Sequence, residues 1–166
     1  MKKFLWGEAD FLVRVLTRDF GKIDILAKGA RKTNSKLNSH LDVLNHIRLS
    51  FIRNGDNIPT FTDADILSAN GRWFADAVSF KVSGKITRVL DMVVPIGVAD
   101  EVLFFLALGF FGREYPDMEK ASLNFLSSFL AHEGYSEAVG ISQSSLESLP
   151  HNVSEAIIKL WPVLMI

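Results

Sequence analysis

Seven lysine and arginine side chains between residues 14 and 36 form a pattern that suits phosphate binding. They are Arg14, Arg18, Lys22, Lys28, Arg31, Lys32 and Lys36. Cations gathered on one surface raise the local potential, attract phosphate groups and release counterions on binding. We therefore take these seven residues as candidate contacts for a polyanion such as nucleic acid. The alternative is that they are ordinary solvated surface charges.

The charge of the whole chain conceals a strong asymmetry between its two parts. The 166 residues carry a formal net charge of -1. Residues 1–53 hold 11 Lys and Arg against 5 Asp and Glu, a net of +6, and the remainder holds 7 against 14, a net of -7. Such a division indicates a basic binding module joined to an acidic body.

Aromatic and further basic residues could extend this surface, although each has a simpler interpretation. Phe11, Phe20 and Phe51 could stack on bases, but aromatic residues in strands more often belong to the core. A second basic set has the i, i+4, i+7 spacing of one helix face, which could add to the basic surface or be the solvated side of that helix. It consists of Lys81, Lys85 and Arg88.

Several classes of chemistry find no support in the sequence. The chain has no cysteine, which excludes disulfides, cysteine-ligated zinc and thiol catalysis. His40, Asp42 and His46 would share a strand face, but surface polar residues explain them better than a metal site does. The nucleophile-elbow, P-loop and dinucleotide-binding signatures are all missing. We expect no enzymatic activity, no cofactor and no metal.

Membrane insertion and secretion are likewise not expected. The longest apolar run, residues 102–111, is far shorter than the roughly 20 residues that cross a bilayer. The first six residues have a charged opening but too few apolar residues for a signal peptide. A cytoplasmic protein is therefore expected.

The elements that must position the basic residues are strands in the first part of the chain. Two-residue alternation predicts strands over residues 11–18 and 23–28, joined by a turn at 19–22. A loop is predicted at 29–38, a third strand at 41–52, a turn at Asn54-Gly55 and a fourth strand at 58–62. Several short strands separated by turns favour a small β-barrel.

After about residue 65 the apolar period changes to that of helices. One stripe predicts an amphipathic helix that ends at Pro95 and Gly97. Asp100 is expected to cap a second helix, buried on most sides, and a third helix is expected to close at Gly134-Tyr135. A capping box at Asn152 predicts a last helix. The stripe of the first helix is formed by Phe74, Val78, Val82, Ile86, Val89, Leu90 and Val93.

The predicted fold class is α+β with two domains. Residues 1–68 form the barrel and residues 69–166 form an all-α helical domain. The boundary is placed where strands give way to helices and the charge balance turns negative.

Ordered motifs in the basic part carry a family resemblance. They are Gly7-Glu8-Ala9-Asp10, Leu16-Thr17-Arg18, Gly21-Lys22-Ile23, Ala27-Lys28-Gly29-Ala30-Arg31-Lys32 and Ser35-Lys36-Leu37. In this order and spacing they resemble the amino-terminal domain of the bacterial RecO family of recombination mediators, over about residues 7–67. Beyond that the likeness is weak, and it rests on the helix that ends near Gly134-Tyr135. Relatives carry a longer segment before Gly7, so the first strand is expected to be shortened. The zinc-binding cysteines of some relatives are absent here.

The resemblance implies a fold and a function. The barrel would be an OB-fold, and the protein a non-enzymatic, nucleoid-associated DNA repair factor that binds single- and double-stranded DNA and anneals complementary strands. With RecR it would help RecA to replace the single-stranded-DNA-binding protein, whose tail would contact the helical body. Two alternatives stay open: a protein-interaction adaptor that works through its acidic helical body, and an RNA-binding OB module.

Overall fold

The amino-terminal part of the chain folds as a five-stranded sheet. The computed structural model describes residues 2–35 and 37–134. The strands are β1 (Lys2–Trp6), β2 (Asp10–Thr17), β3 (Gly21–Ala27), β4 (His46–Ile52) and β5 (Thr60–Ser68), and a short helix, α1 (Leu37–His40), precedes β4. The sheet order is β1-β2-β3-β5-β4. All neighbours pair antiparallel except β3 and β5, which are parallel and meet at Leu26 and Thr60.

This sheet confirms the predicted fold class, with a strand arrangement like that of an OB-fold. Within the described residues no strand pairing joins β1 to β4, so the sheet is not closed into a barrel. Residues 2–6 do form a first strand, which pairs with β2 along its whole length.

The interior of the sheet follows the two-residue alternation of β2 and β3. Val13 lies opposite Ile25 and Val15 opposite Ile23, so the odd-numbered side chains enter the core while the even-numbered ones lie on the other face. The buried residues of this core are Val13, Ile23, Ile25, Ala27, Ala30, Leu41, Phe61 and Ala64.

Several predicted strand limits are wrong. The third strand begins at His46 rather than at residue 41, because Leu44 adopts a left-handed φ of 72° and its carbonyl accepts a hydrogen bond from Asn70. The fourth strand begins at Thr60 after Pro59 and continues to Ser68. Strand β2 ends at Thr17, which leaves Arg18 in the turn before β3.

Three longer helices follow within the described residues. A 3₁₀ turn at Gly71–Phe74 precedes α2 (Ala77–Val93), α3 (Glu101–Phe111) and α4 (Met118–His132). Asp100 caps α3 as predicted, since its carboxylate accepts from the Leu103 N–H at 2.8 Å. The predicted end of α4 is confirmed as far as Gly134, whereas Tyr135 and the helix predicted after Asn152 lie outside the described residues.

The apolar patterns of the helices are confirmed only in part. The stripe of α2 buries Val82, Ile86, Val89 and Leu90. Its first two members are half exposed: Phe74 at 51% and Val78 at 49%. Most residues of α3 are buried or half-buried, as expected, but Val102 and Phe105 are exceptions, since both are at least half exposed.

The chain divides into two compact units. The first comprises residues 1–71 with 96–104, and the second comprises residues 72–95 with the described residues from 105 onward. In the second unit the Trp73 indole donates to the Phe111 carbonyl at 3.0 Å and packs against Phe110, with ring centroids 5.3 Å apart. The division into domains at residues 68 and 69 stays a prediction.

Candidate nucleic-acid interface

The loop after β3 holds three of the predicted cations on the surface of the sheet domain. Lys28, Arg31 and Lys32 are all exposed. None of the three forms a salt bridge with a carboxylate among the described residues. We name these three residues the basic loop. Cations without a protein counter-charge are available to phosphates, so the basic loop is the strongest candidate for polyanion contact.

Hydrogen bonds hold the basic loop against the turn between β1 and β2 and the first residue of β2. The Arg31 N–H donates to the Ala9 carbonyl at 2.9 Å, and the Gly29 N–H donates to Asp10 Oδ1 at 2.7 Å. The Arg31 guanidinium also reaches the Gly7 carbonyl, at 3.3 Å. These bonds order the loop before any ligand arrives, which lowers the entropy lost on binding.

The loop is fixed from within as well. Ala30 is completely buried in the sheet core, directly before Arg31. The Lys32 N–H donates to the Gly29 carbonyl at 3.0 Å, and the Ser35 N–H donates to the Lys32 carbonyl at 2.9 Å. The chain therefore turns twice in succession and projects its cations outward from a buried anchor.

Arg14 lies in a different environment from the basic loop. Its guanidinium makes two hydrogen bonds to Asp24 on the neighbouring strand, Nε to Oδ1 at 2.7 Å and Nη2 to Oδ2 at 2.8 Å. Its side chain is only 21% exposed. Such a bidentate pair is a strong and geometrically specific interaction. Arg14 therefore has a carboxylate partner within the sheet, which competes with phosphate binding.

Arg18 and Lys22 are also set apart from the basic loop. Arg18 is exposed but contacts Asp19 at 2.8 Å, and that hydrogen bond raises the pKa of Arg18 above its ordinary value. Lys22 is only 4% exposed, and its carbonyl accepts from the Gly97 N–H. Lys36 lies outside the described residues. The structure thus brings together Lys28, Arg31 and Lys32, and does not add Arg14, Arg18 or Lys22 to them.

The other residues considered from the sequence are distributed as follows. Phe20 is 48% exposed and its ring meets that of Phe51 at 5.2 Å, while Phe11 packs against the sheet core. His40 ends α1 and His46 begins β4, so the shared strand face expected for a metal site is not formed.

The basic set predicted on a later helix lies on α2, in the second unit. Lys81 and Arg88 are exposed and Lys85 is half-buried. These cations provide comparison positions for the basic loop.

Asp10 is a site residue that sequence reasoning missed. Its carboxylate positions the loop through Gly29, although its own charge opposes an anionic ligand. The available signal was its place directly before an alternating strand, because aspartate side chains commonly accept backbone N–H groups in turns.

The basic amino-terminal part of the chain matches a known protein family. Residues 1–70 match the family described as "Recombination protein O N terminal". None of the helices within residues 2–35 and 37–134 combines the length and the apolar character that a membrane span requires.

Three bacterial relatives illustrate the extent of the similarity. The DNA repair protein RecO of Heliobacterium modesticaldum is 33% identical over 90 residues, 54% of this chain and 33% of the relative. That of Thermodesulfovibrio yellowstonii is 30% identical over 108 residues, 65% of this chain and 43% of the relative. That of Bifidobacterium longum subsp. infantis is 33% identical over 89 residues, which are 53% of this chain and 37% of the relative.

The matches thus span less than half the length of these curated relatives. Within that span the match covers the whole five-stranded sheet and the basic loop. Residues 1–70 therefore match the amino-terminal domain of the RecO family, and the chain is similar to bacterial DNA repair proteins RecO over part of their length.

Proposed function

We propose that this chain is a non-enzymatic DNA repair protein that binds single- and double-stranded DNA through its OB-like sheet. The observation that carries the proposal is the basic loop: three exposed cations held on a pre-ordered turn, with no salt bridge to a carboxylate among the described residues. A cationic surface of this kind follows the phosphate backbone without reading base edges. Strand annealing fits such a surface, because neutralising phosphates reduces the repulsion between two complementary strands.

The partners belong to the same proposal. By its family, the protein would act with RecR and help RecA to replace the single-stranded-DNA-binding protein. It would work in the cytoplasm, close to the nucleoid. No cofactor or metal is needed for charge neutralisation, which is the only chemistry that the basic loop requires.

A groove in the second unit supports the partner side of the proposal. It has a volume of about 520 Å³ and lies along the end of α3 and the start of α4. Phe105, Phe110 and Phe125 form apolar walls. Two cations, Arg113 and Lys120, and one carboxylate, Asp117, are exposed at its border, which leaves a net positive charge there. Apolar walls with a cationic border suit a peptide that carries both apolar and carboxylate groups. We assign the tail of the single-stranded-DNA-binding protein to this groove.

A salt titration tests the DNA-binding proposal most directly. The logarithm of the affinity for single-stranded DNA should fall linearly with the logarithm of the salt concentration, by about 0.7 per phosphate neutralised. The triple variant Lys28→Ala/Arg31→Ala/Lys32→Ala should bind more weakly and lower that slope by about 2. The double variant Lys81→Ala/Arg88→Ala should keep the slope of the unmodified chain. A slope near zero for the unmodified chain would disprove the proposal.

The same assay separates the competing functions. An adaptor that works only through its helical body would bind no nucleic acid in a salt-dependent manner. An RNA-binding module would prefer RNA when RNA and DNA of one sequence compete. For the groove, a labelled tail peptide should lose affinity for a Lys120→Glu variant, while DNA binding by that variant stays unchanged.

A further inference from the structure

Trp6, at the end of the edge strand β1, has an unusually accessible aromatic ring. It is 45% exposed, although tryptophan is buried on average far more than this. Trp6 pairs with Asp10 across β1 and β2, and its neighbour Gly7 carries the carbonyl that the Arg31 guanidinium contacts at 3.3 Å. A large open ring therefore lies one residue away from the point where the basic loop meets the sheet.

The register of the sheet places this ring on the side where the loop is attached. Even-numbered residues of β1 and β2 share a face, because Trp6 lies opposite Asp10 and Phe4 opposite Leu12. Asp10 Oδ1 on that face receives the Gly29 N–H, and Gly29 directly follows Lys28. Trp6, the Asp10 anchor and the start of the basic loop thus form a row across the sheet.

The row combines the two components that single-strand binding uses. A cationic path follows the phosphates, and an aromatic ring beside it receives an unpaired base, whichever base that is. A duplex offers its phosphates to the cations but keeps its bases stacked inside. An aromatic platform therefore favours single strands without adding sequence preference.

We propose that Trp6 is a base-stacking residue that adds a preference for single-stranded nucleic acid to the phosphate binding of the basic loop. The inference rests on the proposed function, since the base reaches Trp6 only when the loop holds the neighbouring phosphates. Phe4, two residues earlier on the same face, lies against Arg14, with the guanidinium carbon 5.8 Å from the ring centroid, and is 40% exposed. Trp6 is thus the more exposed of the two rings and the one nearer the loop.

The test uses the full chain and compares oligothymidine with a duplex of equal length by fluorescence anisotropy. Trp6→Leu should weaken binding to oligothymidine about tenfold and leave duplex binding within about twofold, because stacking on one aromatic side chain accounts for roughly that factor. The salt slope should not change, since no charge is removed. Trp6→Phe keeps an aromatic ring and should retain most of the affinity for oligothymidine. Phe80→Leu removes another exposed ring, from α2, and should have no effect.

Intrinsic fluorescence supplies a second readout that does not depend on the stability of Trp6→Leu. Stacking on a base should quench Trp6 when oligothymidine is added, and Trp6→Phe should abolish that quenching. Trp73 is 1% exposed and should contribute little, and the third tryptophan, Trp161, is replaced by Phe in both proteins. Equal loss of single-strand and duplex binding in Trp6→Leu, or unchanged quenching in Trp6→Phe, would overturn the stacking role while leaving the proposed function intact. Loss of self-association in Trp6→Leu with unchanged DNA affinity would overturn it too, and would assign Trp6 to a contact between copies. Absence of any DNA binding by the unmodified chain would remove both proposals.

Discussion

Arg14 and Asp24 face each other across β2 and β3 and form a bidentate ion pair, with N–O distances of 2.7 and 2.8 Å. Both side chains are about a quarter exposed or less. A partly buried pair of this geometry contributes to stability. It also means that Arg14, which the sequence predicts as a DNA contact, is already paired with a carboxylate.

We predict that Arg14→Ala acts on stability more than on DNA binding. It should lower the free energy of unfolding by about 1–2 kcal/mol, because Asp24 keeps its charge without its partner. The salt slope of DNA binding should stay close to that of the unmodified chain. Urea unfolding and the salt titration measure the two effects. A drop in slope equal to that of Arg31→Ala would show instead that Arg14 contacts phosphate.

The Asp10 anchor leads to a prediction in which charge and position have opposite effects. Asp10→Ala removes a negative charge, which alone would strengthen DNA binding, but it also frees the Gly29 N–H and loosens the basic loop. We expect DNA affinity to fall about threefold, because ordering the loop then costs free energy on binding.

Two controls separate these effects in the same anisotropy assay. Asp10→Asn keeps an acceptor oxygen without the charge and should bind DNA at least as well as the unmodified chain. Glu8→Gln removes a charge from the adjacent turn between β1 and β2 without touching the Gly29 N–H and should also bind at least as well. Weaker binding by Glu8→Gln would contradict the positional role given to Asp10.

Gly21 should tolerate no side chain. Its φ is 65°, and a Cβ built there would lie 1.9 Å from the Val98 carbonyl oxygen. Gly21→Ala should therefore cost about 3 kcal/mol, from the left-handed backbone and from the displacement of Val98. Gly55→Ala has a similar φ of 59° but open space, and should cost only about 1 kcal/mol. Equal costs in thermal unfolding would contradict the close approach of Val98.

The cap of α2 predicts a pH dependence of stability. Asp76 accepts hydrogen bonds from the Ser79 hydroxyl, the Ser79 N–H and the Val78 N–H, and these bonds, the Ser79 hydroxyl first, hold the pKa of Asp76 below its ordinary value of 3.8. Because the folded pKa is the lower one, the contribution is complete above the ordinary value and is lost as the pH falls through the folded pKa.

Melting temperatures at two pH values test the cap. Asp76→Ala should lower Tm by a few degrees at pH 7. The difference from the unmodified chain should shrink as the pH falls below about 4. A difference in Tm that is independent of pH would show that ionised Asp76 does not stabilise α2.

Local patterns predicted part of this architecture well. The alternation of residues 11–18 and 23–28 predicts the β2–β3 hairpin to within two residues at each end, since each odd side chain enters one core. Asp100 likewise predicts the start of α3, which it caps. These features depend on near neighbours in the chain, so that a single sequence carries their signal.

The differences arise where distant residues decide the outcome. Asn70 bonds the Leu44 carbonyl and keeps residues before His46 out of the strand, which alternation alone does not reveal. At the candidate site, the sequence shows which residues are cationic but not what they contact. Arg14 is paired with Asp24, and Lys22 is buried. Cross-strand register gives Arg14 its partner, and Lys22 lies against the distant segment at Ile96 and Gly97, so neither environment is visible in the local sequence.

The single parallel contact between β3 and β5 has a consequence for the order of folding. Strands β1, β2 and β3 pair only with neighbours in sequence, as do β4 and β5, whereas Leu26 and Thr60 join the two groups over a long stretch of chain. Contacts between near neighbours form first because they close shorter loops. We therefore expect the three-stranded meander to form before the β4–β5 hairpin docks. In pulsed hydrogen exchange the Arg31 amide, bonded to Ala9, should gain protection earlier than the Leu26 amide, bonded to Pro59. The loop that carries the cations would then be complete while the second half of the sheet is still unfolded.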